Sequence, residues 1–211
     1  MTRVALIDGP LAPDSPGIAE VIDPAGGAIL RSPAGQHAVA IAAAIRSEAP
    51  GAAIISIPVF RGRLAASVAD LVAALRLAAD TDAAIVHCSL GLGRNAPEVA
   101  EAIAALADRV VVASAVARGG PVWPAALPPV IAVQGDARCA PGQWSHLALP
   151  TADFGACPHL GHRPGVAGPS IAAAHVTGVL AAQGLTCPSA AKAFLESGAS
   201  HRGRERRTAT P

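Results

Sequence analysis

The chain has 211 residues, of which 52% are hydrophobic and only 15% charged, and its 16 basic and 15 acidic residues leave a net charge of +1. This composition excludes an intrinsically disordered chain, and the length is that of a single domain. The near-neutral charge and the aromatic content of 2% argue against nucleic-acid and anionic-membrane partners. No apolar run reaches the length of about 20 residues that a membrane span needs.

Short apolar runs alternate with alanine-rich helical windows along the chain. In order, the pattern predicts a strand at 4–8, a helix at 36–46, a strand at 53–60, a helix at 64–79, a strand at 83–89, a helix at 96–107, strands at 110–115 and 130–134, and helices at 170–183 and 189–197. Such alternation is typical of an α/β fold with a parallel sheet covered on both faces. We expect one compact domain over residues 1–196, and the Arg-rich segment 197–211, which lacks an apolar face, predicts a disordered tail.

Cysteine usage and the N-terminus indicate the compartment. Cys88, Cys139, Cys157 and Cys187 form no CxxC pair, which predicts free thiols in a reducing environment. Only four apolar residues follow Arg3 before the first acidic residue, too few for the core of a secretion signal. We therefore expect a cytoplasmic protein.

The ends of the predicted strands are where a site is expected. In parallel sheets, ligands bind beyond the carboxyl ends of the strands. Asp8 ends the first predicted strand, and Ser89, Leu90 and Gly91 follow one another at the end of the third. Residues 115–118 follow the fourth.

Five segments, in chain order, resemble the subtilisin-like serine proteases. They read VALIDG from residue 4, GQHAVAI from 35, APGA from 49, IVHCSLG from 85 and GPSIAAAHVTG from 168. The last departs from the family pattern at Pro169, where Thr is usual, and at Ala174, where Pro is usual. The resemblance covers about residues 3–185. It implies a three-layer α/β sandwich, in which helices cover both faces of a mostly parallel sheet, and a serine endopeptidase that needs no cofactor.

The resemblance also implies a role for each matching position. Ser170 would be the nucleophile, with its backbone N–H in the oxyanion hole, and Asp8 would orient an imidazole base. Ser89, Leu90 and Gly91 would pair with a peptide or precursor-protein substrate as an added strand.

Two positions depart from the family's catalytic pattern. The position of the catalytic His is occupied by Ala34, so we expect the chain to lack its general base and to be nearly inactive. His37 lies one helical turn further along the same face and could replace the missing base, but it matches a second His that is structural in the family, so we favour a structural role for it. Ala117 stands where the family places its oxyanion-hole Asn, which predicts a weakened hole.

These departures leave two interpretations of the function. A deliberate His→Ala replacement in a working protease would keep Asp8 and Ser170, as this chain does, and we favour it. The second loss, at Ala117, favours the alternative of a natural pseudoprotease that binds peptides without cutting them. The small size for the family suggests an intracellular protease that processes a leader peptide or precursor.

Other reactive side chains receive structural interpretations. Cys157, His159 and His162, with Cys139 as a fourth ligand, have the chemistry of a zinc site, but we expect a polar loop near the substrate cleft and no metal. The acidic residues do not cluster, so we expect no calcium either. His87 and Cys88 lie on a predicted buried strand. We expect the His87 ring to have its hydrogen-bond partners within the fold and the Cys88 thiol to be inert.

Overall fold

The structure, a computed structural model, describes residues 1–23, 27–161 and 167–204. Within them the strands are β1 (Arg3–Asp8), β2 (Ile18–Val21), β3 (Ala53–Pro58), β4 (Ile85–Cys88), β5 (Val110–Ser114), β6 (Ile131–Gly135), β7 (Trp144–Leu149), β8 (Ala152–Ala156) and β9 (His201–Arg202). The helices are α1 (Gly27–Leu30), α2 (Pro33–Glu48), α3 (Val68–Ala79), α4 (Pro97–Ala104), α5 (Pro169–Ala182) and α6 (Pro188–Ser197). None of the helices in these ranges is both long enough and apolar enough to cross a membrane.

All of these strands join one sheet in the order β2-β3-β1-β4-β5-β6-β8-β7-β9. Every neighbouring pair is parallel except the antiparallel pair of β7 and β8. Because β1, β4 and β5 are adjacent and parallel, their carboxyl ends meet at one edge of the sheet. This edge is where the sequence places its candidate site.

Helices cover both faces of the sheet, and the alternation along β1 shows how. Val4 and Leu6 pack into the core that includes α2, α5 and α6. Ala5 and Ile7 point to the opposite face and pack with α3 and α4. Burial on both faces explains why the central strands are apolar without a break. The predicted three-layer α/β sandwich with a mostly parallel sheet is confirmed.

Helix α2 begins at Pro33, three residues before the predicted start. Ser32 caps it, because its side-chain oxygen accepts a hydrogen bond from the Gly35 N–H, and Pro33 fits the first helical position. Ala34 and His37 therefore lie on the same helix, one turn apart.

The folded part of the chain continues beyond residue 196, where the sequence analysis ends the domain. Strand β9 pairs with β7, and the Arg138 guanidinium donates a hydrogen bond of 2.7 Å to the Gly203 carbonyl. A two-residue edge strand is held by backbone hydrogen bonds and needs no apolar side chains. The apolar pattern of the sequence therefore does not predict it. Residues 205–211 of the predicted tail lie outside the described residues.

Candidate active site

Asp8, the last residue of β1, is fully buried and binds an imidazole. Its Oδ1 accepts hydrogen bonds from the Gly9 N–H and from His37, whose Nδ1 lies 2.9 Å away. Its Oδ2 is also buried and has no hydrogen-bond partner among the described residues. The carboxylate therefore has the contact that a triad requires, but with His37.

His37 is positioned to hold and release a proton. Its side chain is 23% exposed, so solvent or a substrate can reach the ring. Burial acts to lower the pKa of His37, but the hydrogen bond that His37 donates to Asp8 and the negative charge of Asp8 outweigh it, and the pKa lies above the ordinary value. The family pattern favours a structural role for His37 and leaves Asp8 without an imidazole partner. In the structure, the His37 ring is the hydrogen-bond partner of Asp8.

Ala34 lies in the interior beside this pair. It is fully buried, and its backbone N–H donates a hydrogen bond of 3.3 Å to the carbonyl of Gly62. Gly9 approaches the Ala34 backbone so closely that any β-carbon at position 9 would overlap the Ala34 carbonyl. The position that the family pattern assigns to the base is thus enclosed by backbone from two loops.

Ser170 lies in the first turn of α5, where backbone N–H groups have no intrahelical acceptor. Gly168 caps the helix with a φ of 151°, which favours glycine. The half-buried Ser170 hydroxyl donates a hydrogen bond of 3.4 Å to the Ser89 carbonyl. Among the described residues, no hydrogen bond joins this hydroxyl to an imidazole.

His87 joins the end of β4 to α5. It is fully buried, with Nδ1 at 2.8 Å from Thr177 Oγ1 and Nε2 at 2.7 Å from Ser89 Oγ. Burial, and then the charge of His37, lower the pKa of His87 to about 3. A neutral imidazole donates one of these hydrogen bonds and accepts the other. The expectation of a satisfied strand histidine is confirmed, and its link between Ser89 and α5 is new.

Leu90 and Gly91 offer a free length of backbone next to Ser170. Beyond them, Leu92 pairs with Trp123 through backbone hydrogen bonds in both directions. In the described part of the chain, no backbone hydrogen bond uses the N–H or C=O groups of Leu90 or Gly91. The backbone groups that a strand-like substrate would pair with, as the sequence predicts, are thus not used by other backbone groups in the described part of the chain.

Ala117 lies in the loop after β5 and is exposed. Its side chain has no hydrogen-bond donor, and the one Asn in the sequence is Asn95, in the loop after Gly91. The Ser170 N–H at the start of α5 remains as a backbone donor for an oxyanion.

The remaining reactive side chains near this edge have structural contacts. The buried Cys157 thiol contacts the His159 carbonyl at 3.6 Å, whereas the His159 side chain is exposed, and His162 lies outside the described residues. No three His, Cys, Asp or Glu side chains in the described ranges come together as metal ligands. Burial raises the pKa of Cys88 to about 12, so its thiol is inert, as expected.

Three polar contacts around Glu48 and His175 connect the helices that carry His37 and Ser170. Glu48, at the end of α2, binds His175 of α5 with 2.7 Å between Oε1 and Nδ1, and His175 Nε2 donates to the His159 carbonyl at 3.0 Å. The same Glu48 oxygen accepts a hydrogen bond from the Gly142 N–H. These polar contacts connect the C-terminal end of α2 to α5 and to the loop that contains Gly142.

Comparison with known proteins places this arrangement in a known fold. The structure of the prenylagaramide maturation protease PagA is similar to this chain, with 21% sequence identity and a TM-score of 0.67. The match covers 93% of this chain and 82% of the PagA chain. The self-cleaved protease domain of PatA is 24% identical over 93% of this chain and 87% of its own, with a TM-score of 0.65. A lanthipeptide protease is 17% identical over 93% of this chain and 79% of its own, with a TM-score of 0.69.

The chain has a subtilisin-like fold. No protein-family model matches the sequence, and no curated protein matches it. At identities of 17–24% these similarities concern the fold, so the chemistry has to be argued from the site itself.

Proposed function

We propose that the protein is a subtilisin-like serine endopeptidase that cuts a peptide or precursor protein. The observation that carries this proposal is the position of the Ser170 hydroxyl, in the first turn of α5 and 3.4 Å from the Ser89 carbonyl. Helix N-termini favour the negative charge that develops during acyl transfer. Asp8 ends the strand next to β4, so the nucleophile and the carboxylate–imidazole pair share one sheet edge.

The substrate class is inferred from the cleft and from the fold neighbours. The free backbone at Leu90 and Gly91 suits an extended, unstructured peptide rather than a folded protein. Neighbours of the same fold are titled a prenylagaramide maturation protease and a lanthipeptide protease, which supports a role in the processing of a precursor peptide. All four cysteines are free thiols, which fits a reducing, cytoplasmic environment.

A peptide-binding pseudoprotease is the second candidate. Alanine stands at positions 34 and 117, where the resemblance places two catalytic side chains of the family. The Ser170 hydroxyl donates its hydrogen bond to the Ser89 carbonyl and not to an imidazole. Such a protein would keep the free backbone of Leu90 and Gly91 and bind peptides without cleaving them.

A fluorophosphonate probe, used together with an internally quenched peptide library, tests between the two. The probe reacts with an activated serine, so wild type should be labelled and should cleave, and Ser170→Ala should do neither. Ser189 is a matched control for Ser170. Each serine is the second residue of a helix that begins with proline, and Ser189 is exposed. Ser189→Ala should keep both signals.

Each outcome separates the candidates. Labelling that disappears only in Ser170→Ala supports the endopeptidase. Wild type that is neither labelled nor active, yet binds peptides from the library, contradicts the endopeptidase and supports the pseudoprotease.

A further inference from the structure

We propose that His87 is a positioning residue, which holds the substrate-binding segment, Leu90 and Gly91, in a fixed position relative to the helix that carries Ser170. The inference rests on the proposed endopeptidase function and assigns a role in it to a side chain that the sequence predicts to be structural. It stands on the two hydrogen bonds of the His87 ring and on the three contacts of Ser89.

His87 lies on an interior strand and faces the nucleophile helix. Its backbone pairs with Leu6 of β1 on one side and with Val112 of β5 on the other, and its side chain is fully buried. Ile85, two residues earlier on β4, packs into the apolar core that includes α5, so the His87 side chain points to the same face. A polar ring at such a position is costly unless its nitrogen atoms are hydrogen-bonded.

Both ring nitrogens are bonded, and each contacts a different element. Nδ1 lies 2.8 Å from Thr177 Oγ1 on α5, and Nε2 lies 2.7 Å from Ser89 Oγ in the loop after β4. Thr177 follows Ser170 by seven residues, which is about two helical turns, so both side chains lie on one face of α5. The ring thus connects the face of α5 that carries the nucleophile to the residue before Leu90.

Ser89 is held at three points. Its N–H donates a hydrogen bond of 3.2 Å to the Ile7 carbonyl of β1, its Oγ is bonded to His87, and its carbonyl accepts from the Ser170 hydroxyl. In the described part of the chain, the backbone groups that are free for a substrate begin at the next residue, Leu90. The conformation of Ser89 therefore sets where the substrate-binding segment lies relative to the nucleophile.

The contact between Ser170 and Ser89 cannot fix this position alone. At 3.4 Å it is longer than the range of about 2.5–3.0 Å that is typical of O–H···O hydrogen bonds, and the Ser170 hydroxyl must leave it to attack a substrate. The contacts of the His87 ring are shorter, at 2.7 and 2.8 Å, and involve no reacting atom. His87 is therefore the group that can hold α5 and the substrate-binding segment together throughout the reaction.

Small errors in this position matter for the reaction rate. Attack requires the substrate carbonyl carbon to lie about 3–3.5 Å from Ser170 Oγ, and a misplacement of about 1 Å can cost about 10²-fold in rate. A peptide that pairs with the substrate-binding segment moves with it. Loss of the His87 contacts would therefore move the scissile bond but leave the pairing intact, so kcat should fall while KM stays nearly unchanged.

Removal of either partner of His87 is the first test. Ser89→Ala and Thr177→Val each delete one hydroxyl that the ring binds, and each should lower kcat for a peptide cleaved from the quenched library by about 10–10²-fold. KM should change by less than about 3-fold. Ser145→Ala is a matched control: it deletes a buried hydroxyl on β7 that donates a hydrogen bond of 2.6 Å to Asp136, so it should lower stability and keep the wild-type kcat.

A double variant distinguishes one link from two independent contacts. Because the two hydrogen bonds act in series, the variant with both Ser89→Ala and Thr177→Val should have nearly the same kcat as either single variant. Two independent losses would multiply instead. His87→Leu, which removes the ring and both contacts, should have the same kcat as the double variant.

Fluorophosphonate labelling distinguishes a positioning role from damage to the nucleophile. The probe is small and does not pair with the substrate-binding segment, so its rate of reaction with Ser170 should stay within about 3-fold of wild type in all of these variants. A loss of the fold or of serine activation would slow labelling and peptide cleavage together.

The outcomes that contradict the inference are specific. Wild-type kcat in both Ser89→Ala and Thr177→Val would overturn it, as would labelling that slows in parallel with cleavage. A kcat loss in the double variant equal to the product of the two single losses would overturn it as well. The endopeptidase proposal fails by a different sign, the absence of any labelling or cleavage that Ser170→Ala removes, and the inference fails with it.

Discussion

Replacing Gly178 with alanine tests whether the close approach of α2, which carries His37, to α5, which carries Ser170, constrains the fold. A β-carbon at position 178 would lie 2.8 Å from Glu48 Cβ and still closer to the Ile45 carbonyl oxygen. The nearest obstacle is helix backbone, which cannot rotate away as a flexible side chain can. The two helices therefore have to move apart at the point where they pack most tightly.

The size of the effect follows from two opposing contributions. Overpacking of a well-packed interior costs about 1–3 kcal/mol, and a backbone obstacle places this site near the upper value. Alanine regains about 1 kcal/mol through its higher helix propensity. We therefore expect Gly178→Ala to lower the free energy of unfolding by about 2 kcal/mol. A shift of about 1 Å in α5, which carries the proposed nucleophile Ser170, should also reduce kcat by about 10–10²-fold.

Urea denaturation and peptide cleavage measure the two effects separately. Gly51→Ala is a matched control, because a β-carbon at Gly51 would meet open space and its φ lies outside the left-handed region. That variant should unfold within about 0.5 kcal/mol of wild type. A Gly178→Ala protein that is more stable than wild type by the helix-propensity gain, and equally active, would refute the packing argument.

Substitutions at three further positions test other parts of the site. The pKa of His87 lies near 3 in the fold but at about 6.5 when unfolded, so wild-type stability should fall by about 1 kcal/mol per pH unit as pH drops between these values, and urea titrations of His87→Leu should lack this dependence. Glu48→Ala leaves His175 buried without its carboxylate and should lower the free energy of unfolding by about 1–3 kcal/mol, most of which Glu48→Gln should restore in the same titration. Ala117→Asn adds an amide donor beside the oxyanion and should raise kcat by up to about 10²-fold, measured by peptide cleavage; no rise would mean that this loop does not line the hole.

The central sheet could be predicted because both of its faces are buried. The predicted strands at 4–8 and 110–115 match β1 and β5 to within a residue at each end. Strands β2, β7 and β8 were not predicted, since each has polar or half-exposed positions that break the apolar run. The pairing of β2 with β3 and of β8 with β6 joins strands that are distant in sequence, which no local pattern records, and the short β7–β8 hairpin carries no clear alternation of apolar residues.

The helix starts carried signals that the apolar periodicity did not use. Ser32 followed by Pro33 is a typical N-terminus, and it fixes α2 three residues earlier than predicted. Ser67 with Asp70 forms a capping box, which starts α3 at Val68 and leaves residue 64 in the preceding loop. The register of α2 matters for the site, because it puts Ala34 in the first turn and His37 in the second.

The contact of His37 with Asp8 could not be read from the sequence, because the family pattern compares positions along the chain whereas the contact depends on distance in the fold. A triad is defined by the roles of its groups, and a carboxylate-bound imidazole near a serine satisfies the role wherever it lies on the helix. The two replaced positions differ in what surrounds them: Asp8 still has an imidazole partner in His37 despite Ala34, whereas Ala117 is exposed and its side chain has no donor. An enzyme with a base and a weak hole is slow by about 10²–10³-fold yet keeps a pH-dependent rate, while one without a base is slow at every pH. The shape of the pH profile, more than the size of kcat, therefore decides which group this chain has lost.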